Sequence, residues 1–106
     1  MGFGGNMQKM MKQVQKMQAD MARLQDELGN INVEGSAGGG TVQVVSNCHQ
    51  EIKQVKIDKS VIDPEDAELL EDLVLTAVND ALNKSKETSA QEMEKITGGM
   101  KLPGMF

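Results

Sequence analysis

The chain has 106 residues and a net charge of −5, which is enough sequence for one small domain. A single cysteine and a single histidine exclude an internal disulfide and a transition-metal centre, and two aromatic residues are too few for an RNA module that stacks bases on exposed rings. No run approaches 18 apolar residues and no signal peptide is evident at the start, so we expect a cytoplasmic protein with no membrane partner.

The first predicted element is a long amphipathic helix over residues 7–29, preceded by a flexible start over residues 1–6. Its apolar residues step by three and four in a heptad a/d pattern that holds for more than three heptads. These residues are Met7, Met10, Val14, Met17, Met21, Leu24, Leu28 and Ile31. So long a 3.5-residue period favours a partner helix that runs alongside, and packing on the core of the same domain is the alternative.

The middle of the chain, residues 31–58, predicts a meander of three antiparallel strands, which is too small to be stable alone. The predicted strands span residues 31–35, 41–46 and 51–58, separated by a Gly-rich break over 36–40 and a turn over 47–50. Ile52 is out of step with Val55 and Ile57, which share a face. This offset predicts a β-bulge near residues 53–54.

The second predicted helix spans residues 64–97. Asp63 can cap its start, Pro64 suits the first helical position, and acids in the first turn complement the helix dipole. Its apolar stripe consists of Leu70, Leu73, Val74, Ala77, Val78, Ala81 and Leu82. Two glycines end the helix, and residues 98–106 are expected to form a flexible tail.

The predicted fold over residues 1–106 is a single α+β domain of order α-β-β-β-α, in which two long helices flank a three-stranded antiparallel sheet. Helices of this length carry more apolar surface than so small a sheet can cover. We therefore expect a homodimer, for which a two-fold arrangement is the commonest form. The candidate interface lies on both helices and consists of Met17, Met21, Leu24, Leu28, Leu70, Val74, Ala77, Val78 and Ala81.

The sequence offers no catalytic, cofactor or metal site, and we expect neither an enzyme nor a small-molecule substrate. The Gly-rich stretch over 36–40 has no Lys and precedes a strand rather than a helix, so a hairpin connection explains it better than a phosphate-binding loop. Cys48 and His49 are adjacent without a third orienting group, which indicates a solvated turn rather than a nucleophile pair. The carboxylates over 63–72 stand at a helix start, where the helix dipole already favours negative charge.

Basic residues form one stripe on the first helix, at heptad positions c and f, on the face away from the apolar seam. The candidate nucleic-acid contacts are these four residues and two on the second helix: Lys9, Lys12, Lys16, Arg23, Lys84 and Lys86. Such a stripe can follow the phosphates of duplex DNA, and an ordinary solvated face is the alternative. Residues 63–80 hold seven acids and no base, so repulsion would keep this segment away from a duplex. If the stripe does not bind, the next candidates are Lys53, Lys56 and Lys59.

In order and spacing, nearly the whole chain resembles the YbaB/EbfC family. The segments that carry the resemblance are 33–40 (VEGSAGGG), 55–58 (VKID), 63–66 (DPED), 71–73 (EDL), 77–81 (AVNDA), 97–99 (TGG) and 102–104 (LPG). The resemblance implies a bacterial nucleoid-associated protein, a tweezer-like homodimer that binds double-stranded DNA and alters its conformation. It also implies roles in gene regulation, nucleoid organisation and DNA protection. Residues 47–50 stand where a Gly-containing turn is common in the family, which affects the turn type only.

The family has no sharp base-reading motif, so the candidate DNA contacts rest on the charge pattern. Few aromatic residues and no recognisable recognition helix predict a weak or shape-based preference for DNA sequence. The alternative function is a coiled-coil structural or chaperone-like module, which would hold client proteins on a Met-rich arm.

Overall fold

A computed structural model describes residues 2–98 of the chain, with side chains from residue 7 onward. The elements are, in order, α1 (Gly2–Leu28), β1 (Asn32–Ala37), β2 (Val42–Asn47), β3 (Ile52–Ile57) and α2 (Ala67–Thr97). Short 3-10 turns occupy Gly38–Gly40, Lys59–Val61 and Pro64–Asp66. The predicted α+β fold of order α-β-β-β-α is confirmed. The tail expected over residues 98–106 lies, apart from Gly98, outside the described residues.

Helix α1 begins upstream of its predicted start at residue 7. Residues 2–6, which are expected to belong to a flexible start over residues 1–6, are helical. Once a helix is nucleated, each added residue gains a backbone hydrogen bond, and no proline interrupts this segment. At its other end, the helix stops one residue before the predicted end, and the Ile31 N–H donates to the Leu28 carbonyl oxygen at 3.3 Å.

The three strands form one antiparallel sheet in the order β1-β2-β3. Strand β1 runs beyond the predicted break at residue 36, because Ser36 and Ala37 still pair with residues of β2. Gly38–Gly40 then reverse the chain with φ angles of 61°, 68° and 92°, a conformation that favours glycine. The Gly-rich stretch is therefore a hairpin connection, as its sequence predicts.

The predicted β-bulge is confirmed in β3. Val45 of β2 pairs with Gln54, and the next residue of β2, Ser46, pairs with Ile52. Lys53 is therefore the extra residue. The bulge places Ile52 on the same face of β3 as Val55 and Ile57. Strict alternation along the strand would place it on the opposite face.

A 3-10 turn precedes α2 and moves its start three residues past the predicted residue 64. Asp63 caps this turn and Asp66 caps α2, each by accepting a hydrogen bond from a backbone N–H nearby. Such turns are frequent at the N-termini of helices. At the other end, Gly98 takes a left-handed conformation with φ 63°, and its N–H donates to the Glu94 carbonyl oxygen.

The main core lies between α2 and the first two strands. Val42, Val44, Ala77 and Ala81 have no exposed surface. The close approach of helix and sheet depends on Gly35 of β1, because a Cβ atom there would lie 2.2 Å from the backbone nitrogen of Ala81. The small alanines of α2 and this glycine let the helix lie directly on the backbone of the sheet.

A second buried cluster joins the end of α1 to the end of α2. Leu24, Leu28 and Cys48 are buried, and Met93 and Ile96 of α2 pack against them. The N-terminal half of α1 extends past this cluster, and the molecule measures 79 × 23 × 16 Å. Neither helix, within the described residues, is apolar enough over a sufficient length to cross a membrane.

Candidate nucleic-acid interface

Three lysines project from the N-terminal half of α1. Lys9, Lys12 and Lys16 are exposed, and no carboxylate among residues 7–98 lies within 4.0 Å of their amino groups. The sequence before Asp20 contains no acid. Helical spacing places the three cations on one side of α1 over about 10 Å. This part of the chain therefore offers an uncompensated positive surface, the kind that phosphates attract.

Arg23, the fourth basic residue of the stripe, has carboxylate partners. Its guanidinium lies 2.8 Å from the Asp20 carboxylate and 3.9 Å from the Glu27 carboxylate. Spacings of three and four residues along a helix bring both acids beside the arginine. Exposed pairs of this kind contribute little to stability, so a phosphate can replace the carboxylates. Arg23 is therefore a weaker candidate contact than the three lysines.

Lys84 differs from the lysines of α1, because its side chain bridges α2 and β1. Its ammonium lies 3.1 Å from the Asp80 carboxylate and donates to the Glu34 carbonyl oxygen at 3.2 Å. The same carboxylate accepts a hydrogen bond from the Ser36 N–H at 3.0 Å. That hydrogen bond first, and the Lys84 ammonium second, hold the pKa of the Asp80 carboxyl below its ordinary value. The structure thus gives Lys84 a structural role in addition to its candidate role.

The remaining basic candidates lie on other surfaces. Lys86 is exposed on α2, and no carboxylate among the residues with described side chains lies within 4.0 Å of it. Lys53 lies 3.9 Å from the Glu51 carboxylate. Lys56 lines a shallow hollow on the sheet face opposite α2, and Lys59 is exposed in the turn after β3.

The nine residues predicted for a dimer interface fall into two groups. Four of them are buried in this chain's own cores and keep at most 5% of their surface exposed: Leu24, Leu28, Ala77 and Ala81. The other five are half-buried: Met17, Met21, Leu70, Val74 and Val78. Periodicity places all nine on the apolar faces of the helices, but it does not distinguish a face covered within the chain from an open one.

An open apolar surface runs along β3 and α2. Helix α2 covers β1 and β2, while β3 remains exposed, with Ile52 and Val55 at 40% and 45%. A shallow groove along α2 is lined by Leu70, Glu71, Val74, Leu75 and Val78. Val74, Val78 and the β3 residue Ile57 pack against the same buried cluster, so groove and strand adjoin. Apolar surface of this kind marks sites of interaction between proteins.

The N-terminal half of α1 carries a second apolar surface, which we call the methionine face. It consists of Met7, Met10, Met11 and Val14, exposed at 63%, 64%, 60% and 53%. Gln15 and Gln18 complete a shallow groove there. The predicted a/d seam is thus divided, since its first residues are open and its last residues pack on the chain's own core. At 100° per residue, the lysines lie on the opposite side of the helix.

In the turn over residues 47–50, Asn47 and Cys48 are buried and His49 and Gln50 are exposed, so the expectation of a solvated turn is corrected for Cys48. Cys48 packs against the end of α1, and Asn47 is 1% exposed. The Asn47 amide donates to the Gly29 carbonyl oxygen at 3.1 Å and to the Glu51 carboxylate at 2.8 Å. Asn47 and Cys48 are buried because α1 ends against them, a contact between residues distant in sequence.

The same turn shows no arrangement for nucleophilic or metal chemistry. His49 is exposed, and its ring nitrogen hydrogen-bonds with the Gln25 carbonyl oxygen, whereas Cys48 is buried. Within residues 7–98, no group of three His, Cys, Asp or Glu side chains could hold a metal ion.

Comparison with known proteins identifies the family. Residues 2–100 match the YbaB/EbfC DNA-binding family. A nucleoid-associated protein of Pelotomaculum thermopropionicum is 57% identical over 104 residues, which is 98% of this chain and 99% of the relative. A nucleoid-associated protein of Moorella thermoacetica is 60% identical over 100 residues, which is 94% of this chain and 96% of the relative.

A solved structure shows the same fold. The crystal structure of an uncharacterized protein from Helicobacter pylori has a TM-score of 0.71 and 22% sequence identity, and it covers 92% of this chain and 99% of that one. The family is a DNA-binding family rather than an enzyme family. The match over nearly all residues, together with the identity of the two relatives, shows that the chain belongs to the YbaB/EbfC DNA-binding family.

Proposed function

We propose that this chain is a nucleoid-associated protein that binds duplex DNA through phosphate contacts from the N-terminal half of α1. One observation carries the proposal: Lys9, Lys12 and Lys16 form an exposed cationic surface on a segment without acids. Lysines that neutralise phosphates release counterions, and this supplies affinity without reading sequence. Membership of a DNA-binding family supports duplex DNA as the partner.

The six candidate contacts are not equivalent in this proposal. Lys9, Lys12 and Lys16 bind phosphates directly. Arg23 contributes when a phosphate displaces Asp20 and Glu27 from its guanidinium. Lys86 is a secondary contact, and Lys84 contributes least, because it already holds Asp80 and the β1 backbone.

The protein acts as a homodimer in this proposal. The interface is the open apolar surface of β3 and α2, where Leu75 is 60% exposed and Val55 is 45% exposed. A second α2 laid against β3 would cover this surface, since the chain's own α2 covers only β1 and β2. A two-fold axis makes such an interface self-complementary and doubles the lysine set. In the dimer, the N-terminal half of each α1 would project as an arm, and the two arms would give the tweezer-like form.

The proposed consequence is a change in DNA conformation with little sequence preference. Contacts to phosphates position a protein but carry no direct sequence information, so preference would come from DNA shape. Two arms that hold one duplex can bend it or stiffen it. This would account for roles in gene regulation, nucleoid organisation and DNA protection, and for location in the nucleoid.

Charge reversal on the arm tests the DNA contacts. The double variant Lys9→Glu/Lys16→Glu should weaken binding of unrelated duplexes about equally, measured by fluorescence anisotropy from about 0.05 to 0.2 M salt. The slope of log affinity against log salt should become shallower by about one unit for each phosphate that the variant no longer neutralises. Both positions are exposed, so stability should change by less than about 0.5 kcal/mol.

A matched control is the variant Lys53→Glu/Lys59→Glu, which changes the net charge equally on a different surface. It should retain most of the affinity and the original slope. If the sheet variant loses binding and the arm variant does not, the proposed contact surface is wrong. The alternative function is a chaperone-like arm, which the exposed methionines favour. Such an arm would instead bind an unfolded client protein with an affinity that salt does not reduce.

The interface has its own test. Sedimentation equilibrium should give about twice the 11.5 kDa mass of one chain. Leu75→Asp should yield a folded monomer, because it places a charge in the proposed interface without entering the core of the chain. Leu69→Asp, at an exposed position of α2 outside the groove, should remain a dimer. A wild-type protein that sediments as one chain would contradict the proposed interface.

A further inference from the structure

The apolar face of α1 is one continuous surface with two different environments. Heptad spacing puts Met10, Met17 and Leu24 on one line along the helix. Leu24 is 5% exposed because Met93 and Ile96 of α2 pack against its cluster. Met10, on the same line, is 64% exposed. The change in burial coincides with the place where α2 ends.

The chain leaves α2 beside this face. Gly98 ends the helix in a left-handed conformation, next to the turn that carries Ile96. Residues 99–106 follow, with the sequence GMKLPGMF. Four of these eight residues are large and apolar: Met100, Leu102, Met105 and Phe106. Pro103 disfavours a helix here, since the residue before a proline prefers extended conformations.

We propose that residues 99–106 dock as an extended segment on the methionine face of the same chain. The segment would cover the part of the apolar face of α1 that lies beyond the end of α2. Eight extended residues span up to about 26 Å. The distance along α1 from Met21 to Met7 is about 21 Å, so the segment is long enough. This inference does not depend on DNA binding.

The chemistry of the two partners is complementary. Methionine side chains are unbranched and adapt to the irregular surface of an extended peptide, and a thioether contacts an aromatic ring favourably. Phe106 supplies such a ring, and Leu102 and Met105 supply further apolar surface. Because the lysines lie on the opposite side of α1, the docked segment leaves them free for other partners.

A pair of cysteines in the full chain tests the contact. Met10→Cys with Leu102→Cys should form a disulfide within one chain under mild oxidation, at a rate independent of protein concentration, detected by mass spectrometry. The matched control is Lys12→Cys with Leu102→Cys, which has nearly the same separation along α1 but lies on the opposite face. We expect the first pair to react at least tenfold faster.

Two results of this experiment would overturn the inference. Equal rates for the two pairs would mean that the segment does not dock on the methionine face. A disulfide that joins two chains, and forms faster at higher concentration, would mean that another copy covers the face.

A second measurement uses the methionines as probes. In protein with 13C-labelled methionine methyl groups, Leu102→Ser/Phe106→Ser should shift the signals of Met7, Met10 and Met11. The signal of Met93, in the core cluster, should stay in place and serves as the internal reference. Lys101→Ser is the control variant and should leave all four signals unchanged. If the signals of Met7, Met10 and Met11 stay unchanged in the double variant, the proposed docking is wrong.

Discussion

Asp80 links two elements through a single carboxylate, since it accepts a hydrogen bond from the Ser36 N–H of β1 and lies 3.1 Å from the Lys84 ammonium. Both contacts favour the ionised form and hold the pKa of Asp80 below its ordinary value. In the unfolded chain, the pKa returns to about 3.9. Folding is therefore stabilised by this group at pH values above about 4, and the contribution is lost as the pH falls through the lower pKa of the folded state.

The variant Asp80→Asn should reduce the dependence of stability on pH. Wild-type protein loses stability as the pH falls below about 4, because the folded state must then protonate Asp80 along with its other stabilised carboxylates. The variant is expected to be less stable at neutral pH and to show a shallower decline in acid. Urea midpoints measured by circular dichroism from neutral to acid pH give both quantities. The matched control is Asp72→Asn, which removes an exposed carboxylate from the same helix and leaves the contact between Asp80 and β1 in place.

The sequence predicts which basic residues are on the surface. It predicts only in part which of them have carboxylate partners and which are open to a phosphate. The pairs of Arg23 with Asp20 and Glu27 follow from helical spacing and are predictable. The contact of Asp80 with Ser36 is not, because it joins residues 44 positions apart. That contact exists only once α2 lies on β1.

From Met7 to Leu28, the apolar pattern of α1 predicts the shared face correctly. It does not predict what covers that face, because the cover depends on where α2 ends and on the packing of Ile96 against Leu24. In the sheet, alternation with a period of two predicts the strands and the bulge. The exposure of β3 is not predictable in this way, since it depends on which strands α2 crosses.

Gly35 sets where α2 crosses the sheet, and Gly35→Ala tests this. Its Cβ atom would stand 2.2 Å from the Ala81 nitrogen and 2.6 Å from the Ala77 carbonyl oxygen. These are backbone atoms, so helix and strand must separate, and we expect a loss of about 3 kcal/mol in the free energy of unfolding. Gly39→Ala is the control, because its Cβ meets no atom within 4 Å; its positive φ alone should cost about 1 kcal/mol. Urea unfolding measures both, and equal losses would contradict the close contact.

The charges of the molecule are separated along its length. The radius of gyration is 20.6 Å, against about 13 Å for a compact domain of this length. The acids of residues 63–80 begin at the start of α2, whereas the end of α2 packs on Leu24. A helix of 31 residues separates these two points by about 45 Å. The net charge of −5 therefore does not describe the field near the lysines of α1.

This separation predicts how the acidic end affects DNA affinity. The range of charge interactions is about 8 Å at 0.15 M salt and about 30 Å at 0.01 M. Neutralising the acidic end with Glu65→Gln/Glu68→Gln, two exposed acids outside the groove, should thus leave the affinity unchanged within about twofold at the higher salt, and should raise it several-fold at the lower salt. Fluorescence anisotropy with one duplex at both salt concentrations measures this.

The comparison variant Asp20→Asn/Glu27→Gln removes the same number of acids beside the arm. It releases Arg23 from its two partners, which lie 2.8 and 3.9 Å away. Distances this short are inside the screening length at both salt concentrations, so this variant should bind DNA more tightly at both. If the acidic-end variant gains as much affinity at about 0.15 M salt as the arm variant does, the duplex lies along the start of α2 rather than along α1.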